Sequence, residues 1–390
     1  MRILYVASDV AISGAHGGAV HVREVASGLA ALGHDVRAIV RGEPGEARRA
    51  REDGFEIRRV LQRVPLRVLR LLALPAVDRE AHEFRPDVVI ERYYNFGGEG
   101  VIVARRLSVP ILLEVNSPMV EYAGSVKDRL DRLVGSPLRR WRDHLAREAA
   151  SFVTPTAEIL PAFVARERVH ELPWGANTER FHPGVPAAEL PAAHGRKVVA
   201  FVSSFRAWHG GGSLLEAAAK VGREDVLFLM IGDGPERAAM ESRVAALGLG
   251  RSFFFSGAIP NEQVPSYLRL AVVGVAPFET RRHRYLEIDF YWSPLKILEY
   301  MAMAMPVVTV DLPALWRIVR PGIEGLLYPE GDASALAGAL AELLDSPERA
   351  RALGRSARDR AVEKFSWRGH CVALDRILRQ LVGPAPSGPH

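Results

Sequence analysis

The chain has 390 residues, of which 48% are hydrophobic and 25% charged, a composition typical of a globular protein too long for one ordinary core. The net charge is +5, and because the basic residues are spread along the chain, we expect no nucleic-acid partner. The single cysteine, Cys371, excludes a disulfide framework, and neither a signal peptide nor an apolar run of about 20 residues is evident, so we expect a cytoplasmic protein.

Apolar runs alternate with amphipathic segments from the N-terminus onward. The first predicted strand is followed by a helix whose apolar residues recur at helical spacing and which ends at Gly33. The predicted strands of this half are Ile3 to Ala7, Val36 to Val40, Val88 to Ile90, Pro110 to Val115 and Phe152 to Pro155.

The second half repeats this alternation after a Pro-rich stretch, Phe181 to Arg196, which we interpret as an interdomain linker. The predicted strands are Val198 to Val202, Val226 to Ile231, Phe253 to Ser256, Val272 to Pro277 and Val307 to Val310. The predicted helices are Glu236 to Leu247, Leu295 to Ala304, Leu336 to Leu344, Arg349 to Lys364 and Trp367 to Val382.

Short apolar strands of this kind predict parallel sheets covered by helices on both faces. The fold class is therefore α/β, with two Rossmann-like, doubly wound domains facing across a cleft. We predict an N-terminal domain at 1–180, a linker at 181–196, a ligand-binding domain at 197–365, a C-terminal helix at 366–382 that packs back on the first domain, and a disordered tail at 383–390.

Three loops follow predicted strands, where ligands of parallel sheets bind. The loop Ser8 to Ala19 contains Gly17 and Gly18 and does not fit the dinucleotide motif G-x-G-x-x-G; a flexible turn explains it about as well as a ligand loop. In the second half, cationic and glycine-rich loops are candidates for binding a diphosphate, although a surface loop and a simple turn remain alternatives. The candidates there are Arg206, Trp208, His209, Gly210 to Gly212, Gly232 and Gly234.

The most informative stretch runs from Tyr291 to Val308. We expect Ser293 to cap a helix and Pro294 to be its first residue, with Leu295 following. Lys296 then lies in the first helical turn, where a cation opposes the helix dipole and is expected to meet an anion. Glu299, one turn on, suits two ribose hydroxyls, although a surface Lys–Glu pair would give the same spacing.

These motifs resemble those of the family 4 glycosyltransferases. The resemblance rests on Gly17-Gly18 with Gly33 to Val36, Pro173 to Asn177 with Phe181 to Pro183, Ile231 to Pro235, Ser293 to Val308, and Gly325 to Asp332. It implies the two-domain GT-B fold, a nucleotide-sugar donor, retention of anomeric configuration, no cofactor and no metal ion. The acceptor is then a sugar, a lipid-linked sugar or a small molecule.

The resemblance also assigns roles to residues. Glu299 matches the second Glu of the family's E-x7-E motif, whereas Tyr291 stands at the first, which meets the transferred sugar; Glu287 or Asp289 are possible substitutes. The catalytic candidates are Arg206, Lys296, Glu114 and Asn116. The donor-binding candidates are Gly17, Gly18, Ser204, His209, Gly232, Gly234, Ser293, Pro294, Leu295 and Glu299.

Two other functions stay open at this point: a sugar-nucleotide epimerase on the same fold, and a protein that binds a nucleotide-sugar without turnover. Leu61 to Leu74 mixes Arg63, Arg67 and Arg70 with large apolar residues, which predicts either peripheral contact with a membrane or a core-packed helix with exposed arginines.

Overall fold

The computed structural model describes residues 1–14, 17–62, 67–119, 126–282, 290–291 and 293–383. The chain divides into two compact units. The first contains Met1–Trp174, Tyr291–Ser293 and the C-terminal segment from Trp367, and the second contains Gly175–Phe290 and Pro294–Ser366.

The first unit is built on an eight-stranded sheet in the order β3-β4-β2-β1-β5-β6-β7-β8. All neighbouring strands are parallel except the β3–β4 pair, which is antiparallel. The central strands are buried, as expected for a sheet covered on both faces. The strands are β1 Arg2–Ala7, β2 Asp35–Arg41, β3 Arg49–Glu52, β4 Phe55–Val60, β5 Val88–Arg92, β6 Ile111–Glu114, β7 Ser151–Thr154 and β8 Val169–Glu171.

The helices of this unit follow the strands as in a doubly wound fold. A 3-10 helix over Arg67–Ala73 leads directly into the second α-helix. The helices are α1 Gly17–Ala31, α2 Leu74–Phe84, α3 Glu99–Leu107, α4 Val126–Leu133 and α5 Pro137–Glu148.

The second unit has a six-stranded parallel sheet in the order β11-β10-β9-β12-β13-β14. Strand β10 is buried at every residue, so its continuous apolar run reflects cover on both faces. The strands are β9 Lys197–Val202, β10 Val226–Ile231, β11 Phe253–Gly257, β12 Ala271–Ala276, β13 Val307–Val310 and β14 Gly325–Tyr328.

The helices of the second unit are α6 Gly211–Val221, α7 Arg237–Ala246, α8 Val264–Leu268, α9 Leu295–Ala302, α10 Pro313–Trp316, α11 Ala333–Asp345 and α12 Pro347–Lys364. Asp332 caps α11 by accepting the backbone N–H groups of Ser334 and Ala335. Helix α9 packs against both β12 and α12.

The last helix, α13, spans Trp367–Val382 and belongs to the first unit. It packs against α1 at a point of close approach, where a Cβ atom on Gly28 would lie 2.4 Å from the Sγ atom of Cys371. Only a glycine on α1 allows the two helices to come this close.

The structure corrects the predicted linker. The boundary falls between Trp174 and Gly175, and the stretch from Phe181 to Arg196 lies inside the second unit. Phe181 and Leu190 are buried and anchor this stretch to the second unit, whereas Pro183, Pro186 and Pro191 are exposed.

Candidate functional site

In the second unit, the loops after β9 and β10 interlock at the carboxyl edge of the sheet. Gly232 and Gly234 have φ values of +124° and +156°. A Cβ atom on Gly232 would lie 1.9 Å from the Ser203 carbonyl oxygen, and one on Gly234 would lie 2.0 Å from that of Ser204. The two predicted donor-binding glycines are therefore required for the two loops to touch, whatever else they contact.

His209 closes the loop after β9. Its Nδ1 atom lies 2.6 Å from the Ser203 hydroxyl, which also accepts the backbone N–H of Phe205. With Ser203 donating, the neutral imidazole carries its proton on Nε2. Gly210 follows with a φ of +76°, and a Cβ atom there would lie 1.5 Å from the Pro277 carbonyl oxygen. This loop is thus fixed against the end of β12.

Arg206 is exposed, and its guanidinium lies 5.3 Å from the ring centre of Trp208. It also lines a small cavity at the start of α6, together with Gly211, Gly212 and Arg282. The structure therefore places this predicted catalytic cation next to a helix N-terminus, where both the cation and the backbone N–H groups favour an anion. Ser204 beside it is exposed as well.

The start of α9 differs from the sequence prediction. The helix begins at Leu295, and Pro294 precedes it with a ψ of 89°, outside helical geometry. Ser293 makes no capping bond; its hydroxyl accepts the backbone N–H of Trp174 at 3.0 Å. The prediction of Ser293 as N-cap and Pro294 as first helical residue is wrong, because a distant backbone donor uses the serine oxygen.

Lys296 lies in the first turn of α9, as predicted. Its ammonium is buried and has no hydrogen-bond acceptor within the described chain. It lies 4.8 Å from the ring centre of Phe201 and 5.2 Å from that of Phe278. Burial lowers the pKa of Lys296 to about 7, and nearby Glu299 only partly opposes this. A buried ammonium that has no acceptor among the described residues favours an anionic ligand.

Glu299 is also buried, one turn beyond Lys296. The next residue, Tyr300, fixes α9 to the sheet: its hydroxyl accepts the Val202 backbone N–H at 2.7 Å, and a Cβ atom on Gly274 would lie 2.4 Å from its ring. Because α9 is held by this contact, the positions of Lys296 and Glu299 relative to the end of β9 are fixed.

The structure adds an acidic residue that the sequence reasoning missed. Glu279, just after β12, accepts the Ser213 hydroxyl at 2.8 Å and forms an ion pair with Arg282. Because Glu279 follows a buried strand by three residues, the sequence could have indicated that it lies at the ligand-binding edge of the sheet. Tyr291, at the position of the missing Glu, is buried. The suggested substitutes, Glu287 and Asp289, lie outside the described residues.

In the first unit, Glu114 ends β6 in a buried position. One carboxylate oxygen accepts the Tyr5 hydroxyl at 2.6 Å, and the other accepts the Asn116 amide. Burial raises the pKa of Glu114, whereas Arg92 and the bonds from Tyr5 and Asn116 oppose the rise. Its hydrogen bonds hold the end of β6 in place.

Both polar atoms of the Asn116 side chain are hydrogen-bonded. Its amide N–H donates to Glu114, and its Oδ1 atom accepts the Trp174 indole N–H at 2.8 Å. Trp174 in turn lies 4.6 Å from the ring of His21, measured between ring centres. His370 completes the group: burial lowers its pKa to about 4, and its Nδ1–H donates to the Pro173 carbonyl at 2.9 Å.

Gly17 and Gly18 are the first residues of α1, which carries His21 one turn later. The His21 Nδ1 atom lies 3.3 Å from Glu114, and burial lowers the pKa of His21 well below its usual value. The structure thus brings Gly17, Gly18, Glu114 and Asn116 to one edge of the first sheet. It places Ser204, Arg206, His209, Gly232, Gly234, Leu295, Lys296 and Glu299 in the second unit, and Ser293 and Pro294 on either side of the division.

The prediction that the arginines between Leu61 and Leu74 are exposed is wrong for Arg70, which is buried. Its side chain has no exposed area and its guanidinium pairs with three carboxylates: Asp9 at 2.9 Å, Glu99 at 2.9 Å and Glu91 at 3.1 Å. Arg63 lies outside the described residues, as does the side chain of Arg67. Leu72 beside this cluster is 61% exposed.

No group of three or more His, Cys, Asp or Glu side chains in the described ranges is arranged to hold a metal ion. None of the helices in those ranges has the length and apolar character that crossing a bilayer requires.

Comparison with known proteins covers both units. Residues 16–175 match the family model for "Glycosyl transferase 4-like domain", and residues 187–360 match "Glycosyl transferases group 1". The chain is 28% identical over 293 residues to alpha-D-kanosaminyltransferase of Streptomyces kanamyceticus, which covers 72% of this chain and 73% of that protein. For eight curated relatives the aligned segments span 58–73% of the relative's length.

Solved structures share the fold over nearly the whole chain. Sucrose-phosphate synthase from Thermosynechococcus elongatus has a TM-score of 0.76 and 23% identity, with 97% of this chain and 98% of that chain covered. Anabaena HepE in complex with UDP-glucose has a TM-score of 0.68 and 15% identity, with 97% and 100% covered. At these identities, the likeness establishes the GT-B fold of glycosyltransferases.

Proposed function

Because this chain belongs to the family 4 glycosyltransferases, we propose that it transfers a sugar from a nucleotide-sugar donor to an acceptor hydroxyl, with retention of configuration and without a metal ion. The donor nucleotide binds to the second unit and the acceptor to the first. The observation that carries the donor assignment is the buried ammonium of Lys296, which lacks a hydrogen-bond acceptor among the residues that the structure describes.

A donor diphosphate supplies the anion that this ammonium lacks. Near neutral pH, Lys296 is only partly protonated because burial lowers its pKa to about 7. Contact with a phosphate oxygen favours the charged form, so donor binding takes up a proton. As the sugar leaves, negative charge grows on the diphosphate, and each well-placed cation or N–H donor contributes about 2.7–4 kcal/mol to the transition state.

The other residues of the second unit have separate roles in this proposal. Arg206 and the Nε2–H of His209 bind the diphosphate next to Lys296, and Glu299 accepts two ribose hydroxyls. The turn containing Gly232 and Gly234 brings backbone close to the nucleotide. HepE, which shares the fold, has been solved with UDP-glucose, which supports a nucleotide-sugar donor here.

On the acceptor side, Glu114 and Asn116 position the end of β6 through their mutual hydrogen bond and their bonds to Tyr5 and Trp174. The acceptor hydroxyl attacks the anomeric carbon on the face from which the diphosphate departs. The new C–O bond forms as the old one breaks, and the hydroxyl proton passes to the leaving phosphate oxygen. This route requires no side-chain nucleophile.

The other functions considered receive less support. Both family models describe glycosyl transferases, and the relative from Streptomyces kanamyceticus is a kanosaminyltransferase, which does not favour an epimerase. If the protein binds a nucleotide-sugar without transferring the sugar, the donor raises the melting temperature but no glycosylated product forms with any acceptor.

Membrane contact through the segment Leu61 to Leu74 remains a proposal that rests on the exposed side chains of Leu69, Leu71 and Leu72. Arg70 cannot bind a lipid headgroup, because its guanidinium is enclosed by carboxylates. Flotation with anionic liposomes tests the contact. Loss of flotation in a Leu72→Ser variant supports it, and an absence of wild-type binding at low salt refutes it.

The donor assignment is tested by thermal shift with UDP, GDP, ADP and TDP and their hexose derivatives, since a ligand of the native state raises the melting temperature. We expect one base to stabilise the wild type and the Lys296→Ala variant to lose most of that shift. Lys220→Ala changes an exposed lysine on α6 and is the matched control. An unchanged shift in folded Lys296→Ala contradicts the assignment.

The reaction is tested with the stabilising donor and a panel of sugar acceptors, in buffer containing EDTA. Proton NMR of the product gives the anomeric configuration, and we expect that of the donor. Inversion refutes the retaining mechanism, and activity that EDTA abolishes and Mg²⁺ restores refutes metal independence. Release of an epimer in the absence of acceptor would identify an epimerase.

A further inference from the structure

The second unit contains a groove of about 500 Å³ that the proposed reaction does not use. Its wall is mainly apolar and includes Leu268, Val272, Met303, Met305 and Leu343. Its volume is in the range of about 300–1,000 Å³ that small-molecule sites occupy.

The groove lies at the amino-terminal edge of the sheet. Lys197 begins β9, Ala271 begins β12 and Pro306 directly precedes β13, and all three residues line it. Lys296 and the interlocked glycine turns lie at the opposite, carboxyl edge, because the strands are parallel. The groove is therefore separate from the donor site described above.

The charge at the groove is positive. Arg269 and Arg351 line it from two different elements, both are exposed, and neither pairs with a carboxylate of the described chain. No acidic residue is among the described residues that line it. The third cation, Lys197, already donates to the Leu344 carbonyl at 2.7 Å. The two arginines are thus the groups available to a ligand.

We propose that this groove binds a single-chain amphiphile with an anionic head group. The alkyl chain lies against the methionine and leucine side chains and gains free energy from apolar burial. The head group, a carboxylate or a phosphate, is bound by Arg269 and Arg351 through charge-assisted hydrogen bonds. A cationic or neutral amphiphile buries the same apolar area but lacks these bonds.

The wall of the groove includes the turn Met303–Pro306, which directly follows α9. An occupant therefore contacts the C-terminal end of the helix whose first turn holds Lys296. Flexible methionine side chains on this turn suit chains of differing length.

The experiment uses the full chain labelled with 13C at its seven methionine methyl groups. Decanoate is titrated below its micelle concentration, with decanol and decyltrimethylammonium as comparison ligands. We expect decanoate to shift the methyl signals of Met303 and Met305, and to leave that of Met119, in the first unit, unmoved. The other two ligands are expected to bind about tenfold more weakly or worse.

Variants test the head-group assignment. The double variant Arg269→Gln with Arg351→Gln is expected to weaken decanoate binding about tenfold or more. Arg355→Gln, one turn further along α12 and outside the groove, is the matched control and is expected to bind as the wild type does. Val272→Trp, at an exposed rim position, is expected to reduce binding by filling the groove.

Decyl phosphate, titrated alongside decanoate, shows which anionic head the arginines prefer. The proposal is overturned if decanoate moves neither methionine signal, if decanol or decyltrimethylammonium binds as tightly, or if the double variant binds like the wild type. None of these outcomes depends on glycosyl transfer, so the result is independent of the proposed function.

Discussion

The ammonium of Lys296 lies 4.8 Å from the ring centre of Phe201, with Phe278 at 5.2 Å. Within the described part of the chain, the cation therefore faces two aromatic rings and has no hydrogen bond to an oxygen atom. Such contacts recover only part of the free energy that an ammonium loses when it leaves water. The free protein retains this cost, and an anionic ligand relieves it.

Removing this charge is expected to stabilise the free protein. The pKa of Lys296 is about 7 in the folded protein, below the usual 10.5. Between these pH values the unfolded state binds more protons than the folded state. The contribution of Lys296 to the free energy of unfolding therefore rises as the pH rises from 7 to 10.5. Lys296→Met keeps an apolar stem and removes the penalty, so we expect a gain of up to about 4 kcal/mol at pH 7.

Urea unfolding at pH 7 and pH 9.5 checks this prediction. The gain from Lys296→Met should shrink at the higher pH, where the wild-type amine is already neutral in the folded state. Lys220→Met, at an exposed position, is the control and should show no such trend. Equal stability of Lys296→Met and wild type at both pH values would show that the ammonium is not destabilising.

Ala304 is expected to be a strained position. Its φ is +56°, in the left-handed region that costs an L-residue about 1–2 kcal/mol. Ala304→Gly should therefore raise the free energy of unfolding by about 1 kcal/mol, even though glycine adds entropy to the unfolded chain. Ala352→Gly, at an exposed position within α12, should instead lower it by about 1 kcal/mol. Urea denaturation of both variants measures the contrast.

Arg70→Met is expected to be strongly destabilising, because it removes the cation that pairs with three buried carboxylates, of which Asp9 keeps a second partner, Arg92, at 3.7 Å. Removing one partner of a buried ion pair costs about 3–5 kcal/mol. Burial already raises the pKa of Glu91 to about 7 with Arg70 present. Between the usual 4.5 and that value the folded state binds more protons, so the contribution of Glu91 to stability falls as pH rises.

The loss in Arg70→Met should therefore be larger at pH 8 than at pH 5.5, since the buried Glu91 carboxyl, whose pKa is raised, is ionised to a greater extent at the higher pH. Chemical denaturation at the two pH values measures the difference. Arg79→Met, at an exposed position on α2, is the control. A loss that does not vary with pH would mean that packing and not charge determines the effect.

Gly232→Ala is expected to separate the interlocked loops, because its Cβ atom would lie 1.9 Å from the Ser203 carbonyl oxygen. We expect the melting temperature to fall and nucleotide binding to be lost together. Gly248→Ala is the control: Gly248 also has a positive φ, +69°, but nothing lies within 4 Å of the new Cβ atom. The free energy of unfolding should then fall by about 1 kcal/mol from backbone strain alone, and nucleotide binding should be unchanged.

Five of the six strands of the second sheet could be predicted from the sequence, but β14, Gly325–Tyr328, was not. Strands at Val226–Ile231 and Val307–Val310 match their apolar runs residue for residue, because each run is bounded by glycine, proline or polar residues. The hairpin Arg49–Val60 was not predicted, since its polar edge strand has no apolar run. Lys296 could be predicted because its place in the first helical turn is a local property of α9.

The partners of buried polar groups could not be predicted in the same way. Ser293 looked like a helix cap because Pro294 follows it, but its acceptor oxygen is used by the backbone of Trp174, 119 residues earlier in the chain. Arg70 looked like a surface residue because it stands among leucines. Its three carboxylates come from β5, from α3 and from the loop after β1, and only the folded topology brings them together.

The Arg70 cluster also limits how this protein can be recombined with its relatives. Where a relative lacks these charges, a chimaera that takes Arg70 from one parent and its carboxylates from the other leaves buried charges without their counterparts. Productive crossover points therefore lie outside the span from Asp9 to Glu99. Specificity swaps built from this enzyme should exchange that span as one block.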